Sequence, residues 1–295
     1  MSDPRVAALV GPTAVGKTEL SLELAERLDA EIVSVDSMQV YVGMDIGTAK
    51  VSMEQRARVP HHLIDIRPPD HDLTVAEFQA LARSAISDIG KRGRLPLLVG
   101  GSGLYLRAVV DDLEFPERSG EVRRQLETEA EELGAEELHR RLAELDPKAA
   151  SRIEPANGRR TIRALEVIEL TGRPFSDNDS WERYDSMYQL RIAGLTRDRA
   201  DLFRRIEGRV QTMLGEGLVN EARGLAGMSR TARQALGYRQ VFESGPETLY
   251  DDIVRATKRF ARRQESWFRA DTRVRWFDAS SPGVADEVAG YLALP

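Results

Sequence analysis

One short run limits what this chain can fold into more than any other: Gly11-Pro12-Thr13-Ala14-Val15-Gly16-Lys17-Thr18. Its spacing, a glycine, four residues, then Gly-Lys-Ser/Thr, is that of a phosphate-binding P-loop, which requires a strand before it and a helix after it. Both signals are present. Residues 6–10 form an apolar run that reads as a buried strand, and residues 18–28 repeat apolar side chains at helical spacing. Glycines let backbone N–H groups close around phosphate oxygens, and the helix that follows turns its positive dipole end toward them. Lys17 is then the cation for the outer phosphates, and Thr18 offers its hydroxyl to a magnesium ion bridging them.

The strand that feeds the loop has companions. Residues 32–35, 95–99 and 190–195 are short apolar runs bounded by turn residues, and helical patterns at 18–28 and 75–89 separate the early ones. Alternation of this kind predicts an α/β fold, a P-loop NTPase-like parallel sheet flanked by helices. From residue 121 to 169 the pattern is helical, broken at Pro147 and Pro155, with no strand candidate. We therefore expect residues 1–112 and 190–295 to form a catalytic core, and residues 113–189 an inserted all-helical domain.

Charge is distributed unevenly about a formal net of -6. Residues 111–146 hold thirteen Asp or Glu against five Arg or Lys, which reads as solvated helix faces. Residues 255–275 hold eight basic residues against two acidic ones, with Trp267, Phe268 and Trp276 interleaved, as a stacking and phosphate surface requires. Cysteine is absent, which excludes disulfides, thiolate metal sites and cysteine nucleophiles and fits a reducing compartment. The apolar run at 6–10 is too short for a signal-peptide core or a membrane span, so a cytoplasmic protein with no membrane partner is expected.

A P-loop contacts phosphates and ignores what they carry, so a nucleotide and another diphosphate both remain open. A P-loop kinase or NTPase acting on a small molecule would be expected to place an acidic residue at the end of a later buried strand, to hold the metal. The run at 95–99 ends instead in Gly100-Gly101-Ser102-Gly103-Leu104-Tyr105. That departure weakens the phosphoryl-transfer alternative.

After the second strand come Asp36-Ser37-Met38-Gln39-Val40-Tyr41 and Gly43-Met44-Asp45-Ile46-Gly47-Thr48-Ala49-Lys50. With Pro60-His61-His62-Leu63, the Gly100–Tyr105 run, Arg163-Ala164-Leu165-Glu166, Gly237-Tyr238-Arg239-Gln240 and Arg262-Arg263-Gln264-Glu265-Ser266-Trp267-Phe268-Arg269, the chain resembles the tRNA dimethylallyltransferase (isopentenyltransferase) family nearly end to end. The resemblance implies transfer of a dimethylallyl group from dimethylallyl diphosphate to the exocyclic amine of the adenosine just 3′ of the anticodon, with magnesium (Mg2+), and release of diphosphate. A catalytically inactive tRNA-binding relative is the remaining reading.

Under that resemblance, Gly11, Pro12, Thr13, Ala14, Val15, Gly16, Lys17 and Thr18 hold the leaving diphosphate. Asp36 is the candidate base that takes the amine proton, with ligation of magnesium through water as its alternative role. Asp36, Ser37, Met38 and Gln39 are expected to meet the tRNA, Gln39 through an adenine edge. Ser102, where the family usually carries threonine, keeps the hydroxyl assigned to the target nucleotide. Arg123, Arg159, Arg160, Thr161, Ile162 and Arg163 are expected to grip the anticodon stem-loop. Arg159 stands where the family commonly has glutamine, which turns a base-edge contact into a phosphate contact. The local pattern also allows a plainer reading of Arg159, Arg160 and Arg163, as a helix face salt-bridged to Glu166 and Glu169. Arg209, Arg223, Arg262, Arg263 and Arg269 are further candidates for the diphosphate or for electrostatic grip. His61 and His62, being adjacent, read as structural. A monomer is the expected state.

Overall fold

The computed structural model describes residues 4–116, 118–177, 183–225 and 227–293. The chain divides into two compact units, one running to Asp111 and resuming at Ser186, the other spanning Asp112–Asp185.

The first unit is built on a parallel sheet of six strands in the order β3-β2-β4-β1-β5-β6. Strand β1 (Arg5–Val10) runs into the P-loop and helix α1 (Lys17–Arg27), then β2 (Ala30–Ser34) follows. Short helix α2 (Met53–Arg58) leads to β3 (His61–His62), α3 (Val75–Lys91), β4 (Leu95–Gly100) and α4 (Gly103–Val110). Helix α3 starts where its sequence demands: the Thr74 hydroxyl accepts from the Glu77 N–H at 3.1 Å and the Glu77 carboxylate accepts from the Thr74 N–H at 2.8 Å. Phe78, Ala82, Ile86 and Ile89 then form its buried stripe. Central strands β1 and β4 are buried on both faces, which is why they read as unbroken apolar runs.

After the second unit the chain returns through β5 (Gln189–Thr196), α9 (Arg199–Gly215) and α10 (Leu218–Gly224). Short helices α11 (Arg230–Arg233) and α12 (Tyr238–Glu243) precede the long α13 (Leu249–Arg269), and β6 (Val274–Asp278) and α14 (Val284–Ala293) complete the unit. No helix among the described residues is long and apolar enough to cross a membrane.

Strands β3 and β6 escape the sequence pattern for different reasons. Only two residues of β3 pair with β2, and β6 is an edge strand, Val-Arg-Trp-Phe-Asp, whose exposed Arg275 placed it inside the basic stretch. The stretch at 255–275 is therefore helix α13, a turn and a strand. Phe268 is 1% exposed and belongs to the core with Ala261 and Gln264 at i, i+3 and i+7 spacing, so it is no stacking surface. Trp276 lies in β6 with the Arg269 guanidinium 4.8 Å from its ring, and Trp267 lines a cavity.

The second unit is helical: α5 (Gly120–Leu133), α6 (Ala135–Leu145), α7 (Pro147–Ala150) and α8 (Gly158–Thr171). Leu126, Leu138, Leu142, Ile153, Ile162 and Leu165 make a core of its own. Asp146 caps α7 ahead of Pro147, its carboxylate accepting from the Ala149 N–H at 2.9 Å and from the Ser176 hydroxyl and N–H, both at 2.7 Å. The unit ends at Asp185, short of the residue 189 expected from the sequence, because Met187 already donates its N–H to Val110 in the core unit at 2.9 Å.

Candidate active site

The parallel topology puts the turns after β2, β4 and β1 side by side at one edge of the sheet, the edge where open α/β sheets bind ligands. Each turn delivers one part of the site: Asp36 after β2, Ser102 after β4, and the P-loop after β1.

The P-loop is tightly cornered. A Cβ on Gly11 would stand 2.7 Å from the Leu195 carbonyl oxygen, and Gly16 adopts φ 112° where the loop enters α1. Lys17 donates to the carbonyls of Gly11 at 2.9 Å and Pro12 at 2.8 Å, and a lysine has one more N–H to give. Burial pushes its ammonium down to about 8, with Arg209 adding to the effect and Asp36 opposing it. Arg209, on α9, is likewise lowered chiefly by burial, with Asp36 and Glu19 opposing. Among the described residues no hydrogen bond or ion pair engages its guanidinium. Two buried cations, Arg209 depressing Lys17, beside the P-loop backbone form a seat for a polyanion. Arg205, a turn earlier on α9, braces the loop by donating to the Ala14 carbonyl at 2.9 Å.

Asp36 faces this seat. Its Oδ1 accepts from the Met38 N–H at 2.8 Å, which fixes the carboxylate and leaves Oδ2 without a hydrogen bond among the described residues. Gln39 is held by the Ser34 hydroxyl at 3.0 Å and the Thr48 carbonyl at 3.3 Å. Two cavities of about 680 and 770 Å³ share Thr13, Asp36, Thr48, Gly101, Arg209 and Gln264 in their walls. The first adds Ser37, Met38, Ser102 and Trp267, and the second adds Lys17, Thr18 and Gln39.

The glycines ending β4 explain the missing acidic residue there. A Cβ on Gly100 would stand 2.6 Å from the Val35 carbonyl oxygen, and one on Gly101 would stand 2.1 Å from Nε2 of Gln264. No carboxylate fits where a P-loop NTPase would carry one.

Two residues of the site gave no role in the sequence, although one of them, Gln264, lies within a quoted motif. Glu221, on α10, gathers the N–H groups of Asp45, Ile46 and Gly47 at 2.8–3.2 Å together with the Tyr238 hydroxyl at 2.5 Å. Burial, and then this bond, raise the Tyr238 phenol well above its ordinary range and keep it protonated. The clamp holds the loop whose Thr48 lines both cavities. That loop lies more than 170 residues before Glu221 in the chain, beyond the reach of local pattern. Gln264, buried on α13, is the other.

In the helical unit the expected tRNA contacts separate. Glu166 is fully buried and receives Arg163 at 2.8 Å, with Arg123 at 3.8 Å. Arg163 also donates to the Pro116 carbonyl at 2.8 Å, and Arg123 pairs with Glu127 at 3.3 Å. The salt-bridged reading therefore applies to Arg163. Thr161 is fully buried and bonds the Asn157 carbonyl, while Ile162 is part of the unit's core. Helical periodicity turns both side chains inward, so any contact with a partner there would be through the backbone. Arg159 and Arg160, at the start of α8, are exposed. His61 and His62 sit on edge strand β3, where His62 meets the Glu31 carboxylate at 2.7 Å and His61 bonds the Val59 carbonyl at 2.7 Å.

No group of three or more histidines or acids that could hold a metal occurs among the described residues. Thr18 and Asp36 do line the same cavity, which fits magnesium, an ion that takes few protein ligands and completes its shell with phosphate oxygens and water.

Comparison with known proteins agrees with this geometry. The family model for IPP transferase matches residues 39–271. A tRNA dimethylallyltransferase of Streptomyces coelicolor is 52% identical over 292 residues, covering 96% of this chain and 92% of the relative, and one of Salinispora tropica is 50% identical over 293, covering 96% and 91%. The crystal structure of a full-length tRNA isopentenylpyrophosphate transferase from Bacillus halodurans superposes with a TM-score of 0.70 at 43% identity, over 98% of this chain and 96% of that one. A eukaryotic dimethylallyltransferase acting on tRNA shares the fold, with a TM-score of 0.81 at 24% identity over 94% and 74% of the two chains. With a P-loop beside an aspartate, no acidic residue at the end of β4 and these relatives along nearly its whole length, the chain belongs to the IPP transferase family, that of the tRNA dimethylallyltransferases.

Proposed function

We propose that the protein transfers the dimethylallyl group of dimethylallyl diphosphate to the exocyclic amine of the adenosine just 3′ of the anticodon in tRNA, releasing diphosphate. The observation that carries this reading is the seat made by Lys17, Arg209 and the P-loop amides, faced by Asp36 across one cavity.

In this reaction the allylic carbon–oxygen bond breaks and its electron pair goes to a diphosphate oxygen. Lys17, Arg209 and the loop amides stabilise that charge as it develops. Thr18 would hold magnesium, which when bound would supply further positive charge to the leaving group. The adenine nitrogen forms its bond to the freed carbon, and Asp36, which lines the cavity and whose Oδ2 carries no hydrogen bond among the described residues, takes the proton that the nitrogen loses. Val210, Met213, Ala256 and Phe260 give the cavity an apolar wall for the prenyl group.

Anticodon-loop bases are unpaired and can be splayed into such a pocket. Ser37, Met38, Gln39 and Ser102 receive the target nucleotide, while Arg239, Arg259 and Arg263, which line the first cavity, meet neighbouring phosphates. Arg159 and Arg160 give the helical unit a second grip on the stem-loop, and the enzyme acts as a monomer in the cytoplasm.

Incubation with labelled dimethylallyl diphosphate and tRNA, without ATP, tests the reading. Label is expected in the adenosine beside the anticodon. Transfer that requires ATP, or label in no nucleotide, contradicts it.

A further inference from the structure

The donor seat and the acceptor side of the cavity stand on different loops, joined through the sheet by the pairing of β1 with β4, where Val10 lies opposite Gly100. Beyond that pair the side chain of Gln264 bridges them. Gln264, 7% exposed on α13, accepts from the Thr13 N–H of the P-loop at 2.9 Å and donates to the Gly101 carbonyl at 2.9 Å. A primary amide alone offers both an acceptor and a donor in this place: a glutamate has no N–H for Gly101, and an asparagine is one methylene too short to span both.

Three residues further along the same face of α13, Trp267 closes the other side of the loop. A Cβ on Gly103 would stand 2.6 Å from its ring, as one on Gly101 would stand 2.1 Å from Gln264. Ser102 lies between these two stops. Its hydroxyl makes no cap bond to α4 and lines the first cavity.

We infer that Gln264 is a positioning residue for the transfer: it sets the separation between the diphosphate seat and Ser102, with Trp267 as the backstop. The inference rests on the transfer reading proposed above. Reactions between two bound partners are sensitive to such spacing, a misplacement of about 1 Å costing on the order of 10²-fold in rate. A purely structural glutamine would instead cost stability and leave turnover alone once the chain is folded.

A double-mutant cycle on the full chain separates these outcomes. Transfer of labelled dimethylallyl to an anticodon stem-loop RNA is measured for wild type, Gln264→Met, Ser102→Ala and the double variant, with thermal melting to establish that each is folded. We expect kcat of Gln264→Met to fall about 10²-fold, with KM for either substrate changed less than about threefold. Ser102→Ala should then cost less when combined with Gln264→Met than alone, leaving the double variant within about threefold of the Gln264→Met single variant. Full turnover by folded Gln264→Met, or losses that simply multiply, overturns the inference. Should the methionine variant not fold, the same cycle on Gln264→Glu, which keeps the acceptor for Thr13, decides it by the same criteria. A wild type that transfers nothing overturns the transfer reading itself, an outcome distinct from an active enzyme with an additive cycle.

Discussion

Arginines in the two units meet opposite fates. In the helical unit Arg123 and Arg163 close on a fully buried Glu166, and the pairing is internal to the fold. In the core unit Arg209 stands beside another cation, Lys17, with no carboxylate bonded to it, and burial pushes both toward losing their charge. An ion pair that satisfies itself has little left for a ligand. Cations held together at a cost to the free protein gain most when an anion arrives between them. Sequence treats these arginines alike, and only the placement of carboxylates tells them apart.

That contrast breaks most sharply at Lys17. Lys17→Ala should lower kcat about 10³-fold, the size of a lost oxyanion donor, with tRNA affinity and melting temperature little changed. A variant that keeps its rate would place the leaving group elsewhere. Arg163→Ala should do the reverse, destabilising the helical unit by about 3 kcal/mol because the buried Glu166 loses its nearer cation and keeps only Arg123 at 3.8 Å and the Ser119 N–H among the described residues. Hydrogen exchange in α5 and α8 reads this directly. Weakened tRNA binding with unchanged protection would return Arg163 to the substrate surface. Replacing Arg159 and Arg160 together by alanine sharpens the comparison from the other side: KM for tRNA should rise several-fold, and the slope of log affinity against log salt should drop by about 2, one for each phosphate no longer neutralised. An unchanged slope would remove both from the interface.

The smallest effect concerns acid. Burial alone would raise the Asp146 carboxyl, but the Ala149 and Ser176 N–H groups and the Ser176 hydroxyl outweigh it and hold it below its ordinary range. A carboxyl depressed in the folded state contributes stability that is fully present above its unfolded pKa of about 4 and is lost as pH falls through the lower folded value. The helical unit should loosen below about pH 4. Asp146→Asn should cost about 1–2 kcal/mol at neutral pH and flatten this acid dependence. An Asn variant with the wild-type acid profile would show that another group governs it.

Much of this was legible beforehand, for physical reasons. The P-loop, Asp36 and Ser102 follow strands that are local apolar runs, and a parallel sheet brings the ends of such strands to one edge. Orientation around a helix was less legible. Phe268, Thr161 and Ile162 lie in segments rich in arginine, yet helical periodicity turns all three inward. Glu221 and Gln264 were out of reach as clamps, since each acts on backbone groups more than 150 residues away and backbone groups leave no mark on composition. The absent carboxylate after β4 was visible in the sequence, while its cause, the carbonyl of Val35 against Gly100, was not.

The most direct test of the whole account is a crystal structure with magnesium and an unreactive dimethylallyl thiolodiphosphate. We predict the diphosphate between Lys17 and Arg209, on the P-loop amides, with the prenyl carbon open toward Asp36. Density for the donor away from both cations, or with its allylic carbon screened from Asp36, would contradict the claim that this loop grips a leaving group.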